Sequence, residues 1–221
     1  MRKIMLTIFA ISLLAMPALA VQLYTFDWNS GTDADYLGCF DNDISVDVDG
    51  AHNRTGSAGS GLQLTKNTPI TDGVAQAFLA AIWNLEAGDE VTVSVWRYDM
   101  GSAMPYFRLW SHYNDALVND AAAGRGQDME ANDGNMQGDN NFGLQTGWEQ
   151  SSHTWTIEAG HTGIVIDATV YGNYGSVILV DDIVIAAPDH ADVRLPHEIY
   201  SGGVVTPVET HSWSAVKAIF Q

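Results

Sequence analysis

Apolar and polar residues alternate with a period of two along most of this chain, most clearly between Gly147 and Ala186. In the run IVIDATVY, Ile164, Ile166, Ala168 and Val170 fall on one side, and Val165, Asp167, Thr169 and Tyr171 on the other. Side chains on a strand point to opposite faces in turn, so this segment predicts a strand with one face in a core. The next run, Val177 to Ile185, is apolar except for the adjacent acids Asp181 and Asp182. One of the pair must share a face with buried neighbours. A carboxylate there is costly unless it is hydrogen-bonded, paired or bound to a cation. Parity with Val180 and Val184 makes Asp182 the expected inward acid.

The same reading applied to the rest of the chain predicts strands at Gln22–Trp28, Ile44–Val48, Gly61–Lys66, Ala75–Ile82, Glu90–Tyr98, Tyr106–Ser111, Ser151–Ile157, Gly163–Tyr171 and Val177–Ala186. Of these, Ala75–Ile82 is the weakest strand, because its residues could also form a helix by propensity. Short strands separated by turn residues, with no helices between them, predict an all-β domain: an antiparallel sandwich or barrel. Asn119 to Gly147 interrupts the pattern with a run dense in Gly, Asn, Asp and Gln. A loop of that length is functional or disordered. Its Asp128, Glu130, Asn132, Asp133 and Gly134 do not make an EF-hand loop, because Asp133 stands where the turn requires glycine.

Residues 188–221 change character again. Pro188, Pro196, Pro207 and Gly202-Gly203 predict an extended linker. After it, Ser212 caps a short amphipathic helix with Trp213, Val216 and Phe220 on one side. A helix so short needs a surface to bury that stripe. The surface is either the chain's own sandwich or a cell-surface or secretion-machinery partner.

At the other end, Arg2 and Lys3, the apolar run Ile4–Met16 and Ala18-Leu19-Ala20 form a secretory signal peptide, residues 1–20, with cleavage expected near Ala20. No later segment is long and apolar enough to span a bilayer as a helix. The expected location is therefore secreted, extracellular or at the cell surface. About 200 residues remain, enough for one domain with a real core, expected over residues 21–187. Cys39 is the only cysteine, so no intrachain disulfide can form. The net charge of −18 excludes nucleic acid as a natural partner, since such a chain repels phosphate backbones.

Candidate chemistry lies on two strand pairs. If Val91, Val93 and Val95 fill the core, Trp96 and Tyr98 project from the opposite side. In Tyr106–Tyr113, Arg108, Trp110 and His112 share a side. With Asp167 and Tyr171 they make aromatic planes beside a guanidinium, an imidazole and a carboxylate. Sugars present an apolar C–H face and a rim of hydroxyls, so stacking rings with polar neighbours are what their capture requires. The competing reading buries these rings beneath another layer. Trp148 and Trp155 are expected in the core, and Trp83 is left open.

The chain resembles the galactose-binding-like jelly rolls, in particular the carbohydrate-binding modules of secreted bacterial enzymes. The matching residues are Phe26-Asp27-Trp28-Asn29, Gly56 to Leu64, Leu85 to Asp89 leading into Val91 to Trp96, Gly147-Trp148, and Val180-Asp181-Asp182-Ile183. The likeness covers roughly residues 21–187, and the acidic loop and the tail lie outside it. It implies a jelly-roll sandwich with a carbohydrate ligand. It also implies a structural calcium (Ca2+) tying the first strand to the last through Asp27 and Asp182, with Asp181 as substitute. A hard cation held by several oxygens would offset the burial of two carboxylates.

Three functions follow in order. The first is an exported, non-catalytic carbohydrate-binding protein. The second is a cell-surface or matrix adhesion protein using the same fold. The last is a polysaccharide-degrading enzyme, which finds no nucleophile elbow or zinc-binding helix motif here and only nonspecific carboxylates.

Overall fold

A computed structural model describes residues 20–28, 43–54, 60–68, 75–100, 106–115, 147–195 and 209–212. These form eleven strands: β1 (Ala20–Phe26), β2 (Ile44–Asp49), β3 (Gly61–Lys66), β4 (Ala75–Trp83), β5 (Glu90–Met100), β6 (Tyr106–Tyr113), β7 (Glu149–Thr156), β8 (Ile164–Tyr171), β9 (Val177–Pro188), β10 (Asp192–Arg194) and β11 (Glu209–Ser212). Among the described residues no helix is long and apolar enough to cross a membrane.

Two antiparallel sheets result. The larger is organised on β9, which pairs along one edge with β5, and β5 pairs with β7. Along its other edge β3 takes the first part of β9 and β1 the second, with β2 outside β3 and β11 outside β1. The smaller sheet runs β10-β4-β8-β6. Strand alternation then makes one core. Val91, Val93 and Val95 of β5 meet Phe107 and Leu109 of β6 and Ile164, Ile166, Ala168 and Val170 of β8 in a single buried cluster. This is the expected sandwich, and the alternation read in β8 is the one observed.

β4 is a strand and not a helix, and every one of its residues is buried. A strand covered on both faces shows no alternation, which is why AQAFLAAIW was ambiguous. Two strands were missed. β10 and β11 lie in the segment expected to be linker, and both complete sheets by pairing with β4 and β1. Leu195 and Val193 also belong to the core. The helix expected after Ser212, and the loop expected over 119–147 apart from Gly147, lie outside the described residues.

β9 carries the decisive irregularity. Its core-facing positions run Ile178 and Val180, then Ile183, Ile185 and Ala187. The parity switches because a β-bulge between the partners of Ser94 and Trp96 inserts one extra residue. Asp182 sits at the bulge with φ of 46°, in the left-handed region that Asp tolerates better than most side chains.

Candidate functional site

The bulge corrects the parity argument for the acidic pair. Asp181, not Asp182, is the fully buried acid, whereas Asp182 keeps 19% of its side chain exposed. Neither joins the core cluster. Asp181 Oδ1 accepts the Asp182 N–H at 2.8 Å, and its Oδ2 accepts the Arg54 N–H at 3.2 Å. The Arg54 guanidinium pairs with Asp182 Oδ2 and lies 4.7 Å above the Trp96 ring. Desolvation pushes the Asp181 carboxyl up to about 6, and the neighbouring Asp182 and Asp27 charges add to it; the two backbone N–H bonds pull the other way.

The same contacts occupy the carboxylates named in the calcium expectation. Both Asp181 oxygens already accept N–H groups, and Asp182 is paired with a guanidinium. Among the described residues no three His, Cys, Asp or Glu side chains stand close enough to hold a metal ion. Arg54 supplies a positive charge beside these carboxylates.

The seven expected ligand residues do not share one surface. β5 belongs to the larger sheet and β6 and β8 to the smaller, and each sheet turns its other face to the common core. Trp96 and Tyr98 therefore look outward on one side of the sandwich, and Arg108, Trp110, His112, Asp167 and Tyr171 on the opposite side. The sequence showed which way each residue points within its strand, but not that consecutive strands β5 and β6 lie in different layers.

On the smaller sheet the five residues do assemble. β6 and β8 are paired, with Arg108 opposite Thr169 and Trp110 opposite Asp167. The Arg108 guanidinium lies 4.4 Å from the Trp110 ring centre and 5.0 Å from that of Tyr171, sandwiched between two aromatics. Trp110 and His112 stack at 6.2 Å with 23° between planes. Deeper in, His112 Nε2 stands 3.2 Å from Asp167 Oδ2 and 3.4 Å from the Gln76 amide nitrogen. Thr169 donates to Asp167 Oδ1 at 2.8 Å. Arg108, Trp110 and Tyr171 are partly exposed, while Gln76, His112, Asp167 and Thr169 are buried behind them. Gln76 Oε1, Trp110 Nε1 and His112 Nδ1 are buried with no hydrogen-bond partner. Gln76 and Thr169 went unrecognised in the sequence. Thr169 was legible as a polar residue on the outward side of β8, and Gln76 was hidden in the ambiguous segment.

On the larger sheet, Trp96 borders a cleft of about 450 Å³ lined by Thr25, Phe26, Asp27, Arg54 and Asp182 among others. Tyr98 contacts Trp148 at 5.7 Å and His52 at 6.0 Å. Trp148 is thus partly exposed on this outward face and not in the core as expected, whereas Trp155 is fully buried. Trp83 is also buried, donating from Nε1 to the Asn114 carbonyl at 3.0 Å.

No protein-family model matches the chain, and no curated protein matches it either. Solved structures do. A xylan-binding domain of carbohydrate-binding module family 22 superposes with a TM-score of 0.50 at 13% identity, covering 75% of this chain and 94% of that domain. The C-terminal family 22 carbohydrate-binding module of Clostridium thermocellum Xyn10B gives a TM-score of 0.49 at 13% identity, over 76% and 93% of the two chains. The Paenibacillus barcinonensis Xyn10C xylan-binding domain gives 0.46 at 14% identity, over 75% and 93%. The chain has the jelly-roll β-sandwich fold of carbohydrate-binding modules, as the resemblance implied.

Proposed function

We propose that the protein is a non-catalytic carbohydrate-binding module whose sugar site is the outward face of the smaller sheet, at Tyr171, Arg108 and Trp110. One observation carries this reading. Two aromatic rings hold a guanidinium between them, all three partly exposed, on the outward face of the smaller sheet. A sugar ring has one apolar C–H face to stack on the exposed rings and hydroxyls to bond the guanidinium. The fold shared with a xylan-binding domain supports the same reading.

The test is electrophoresis through gels containing soluble xylan, mannan or mixed-linkage glucan. Binding appears as retardation of the wild-type band. Trp110→Ala should reduce that retardation on at least one polysaccharide while keeping its melting temperature within a few degrees. Equal retardation of the two proteins on every gel would remove the smaller sheet as the site. In the same experiment no new reducing ends should appear, because His112 and Asp167 are buried against each other behind Arg108, Trp110 and Tyr171. Export through the signal peptide belongs to the same reading, and sequencing the N-terminus of the protein recovered from culture medium tests it.

A further inference from the structure

The cleft on the opposite side of the sandwich is not used by that reading, although it has the chemistry of a ligand site. Thr25 and Asp27 at its border are exposed, so it opens to solvent. Its volume, about 450 Å³, falls within the roughly 300–1,000 Å³ of small-molecule sites. Trp96 provides an indole ring with the Arg54 guanidinium over it, and Phe26 packs against the core behind the cleft. Asp27, Asp182 and Arg54 supply acceptors and donors. The polar groups are held in place: Arg54 is fixed by its backbone bond to Asp181, its pairing with Asp182 and its stacking on Trp96. The backbone at Asp182 is itself in the left-handed region, and such conformations concentrate at ligand-binding positions. Past the cleft, Tyr98 lies two residues along the strand on the same side as Trp96, in contact with Trp148. Together they extend an aromatic strip across the sheet.

We propose that this cleft is a second saccharide site, independent of the first, so that one domain binds two glycan chains on opposite faces. The inference rests on the carbohydrate reading of the fold. It also specifies the ligand. Around the cleft, Asp27, Asp181 and Asp182 outnumber Arg54, an excess of negative charge that repels uronic acids and leaves neutral sugars as the ligand. The smaller sheet, with Arg108 at its centre, has no such bias. Because the two sites face away from each other, the functional consequence is cross-linking of polysaccharide chains.

The experiment combines gel retardation on neutral xylan, mannan and glucan with light scattering of the same polymers mixed with protein, using full-length wild type. Variants are Trp96→Ala, Trp110→Ala, the double substitution, and Thr25→Arg, which fills the cleft from an exposed position without removing a packed ring. Each is checked for an unchanged melting transition. The expected result is that wild type both retards and scatters. Trp110→Ala and Trp96→Ala should each abolish scattering yet keep partial retardation, with affinity reduced by about two- to tenfold. Thr25→Arg should behave as Trp96→Ala, and the double variant should migrate freely. If Trp110→Ala alone abolishes retardation while Trp96→Ala and Thr25→Arg match wild type, the second site is wrong and the first stands. Loss confined to Trp96→Ala and Thr25→Arg would leave a single site in the cleft, overturning both the bivalent arrangement and the assignment to the smaller sheet. No retardation of wild type on any polymer would overturn both.

Discussion

At the scale of single residues, the buried acid Asp181 behaves opposite to an ordinary surface aspartate. Burial raises its pKa to about 6, from a usual value near 4. Between about pH 4 and pH 6 the folded protein therefore holds a proton that the unfolded chain has released. Stability from this group rises as pH falls through that window and is lost as pH climbs above it. Asp49 and Asp115 run the other way. Desolvation opposes them, but hydrogen bonds from His52 and Ala51 to Asp49, and from Thr162 and His161 to Asp115, leave both below the usual carboxylate range. Their stabilising effect disappears on acidification. A difference measurement isolates Asp181: denaturant unfolding of wild type and Asp181→Asn at pH 7 and pH 5. Wild type should gain roughly 1 kcal/mol on the variant over that step. A flat difference would mean that Asp181 titrates as an exposed acid does.

At the scale of elements, the bulge in β9 shows where sequence legibility ended. The pattern in VILVDDIVIA correctly marked a strand with an electrostatic problem in its middle, and the nine strand segments read from the pattern all formed. The solution to the problem was invisible, because parity assumes that no residue is inserted. One extra residue at Asp182 turns both acids away from the core and brings Asp181 under the backbone of Arg54, a residue 127 positions earlier. Nothing local in HNRT announces that partnership. The candidate site was legible in the same partial way: the outward residues of β5, β6 and β8 were identified, but their division between two sheets depends on long-range pairing. The Arg54 contact leads to a test of the calcium expectation. In our reading the guanidinium does what a cation would do there. Arg54→Ala should cost about 1–2 kcal/mol, since the pair is partly exposed. Chelator should leave the wild-type melting temperature unchanged, and added calcium should rescue the variant. A wild-type protein that melts several degrees lower in chelator would instead mean that calcium displaces Arg54 from the carboxylates.

At the scale of the whole molecule, the chain continues in the same two sheets past Ala187, where the boundary was expected. β9 continues to Pro188, and the chain then turns back to lay β10 against Trp83, Ile82 and Ala81 of β4. Ala191, Val193 and Leu195 enter the same core cluster as β5 and β8. His190 Nε2 reaches Asp89 Oδ2 at 2.9 Å, and Asn84 donates to the His190 carbonyl at 2.6 Å, tying this return to the turn between β4 and β5. β11 differs, because among the described residues it pairs with β1 alone. Two truncations separate these roles. A chain ending at Leu195 loses one edge strand, and it should fold with reduced stability and a tendency to self-associate through the uncovered β1. A chain ending at Ala187 loses three core side chains as well as β10. Large-to-small changes at single core positions each cost about 2–5 kcal/mol, against a total stability of about 5–15 kcal/mol for a typical domain. The shorter chain should therefore fail to give a cooperative unfolding transition, and circular dichroism melts of the two would show it. Equal melts would place the end of the domain at Ala187, where the sequence alone had drawn it.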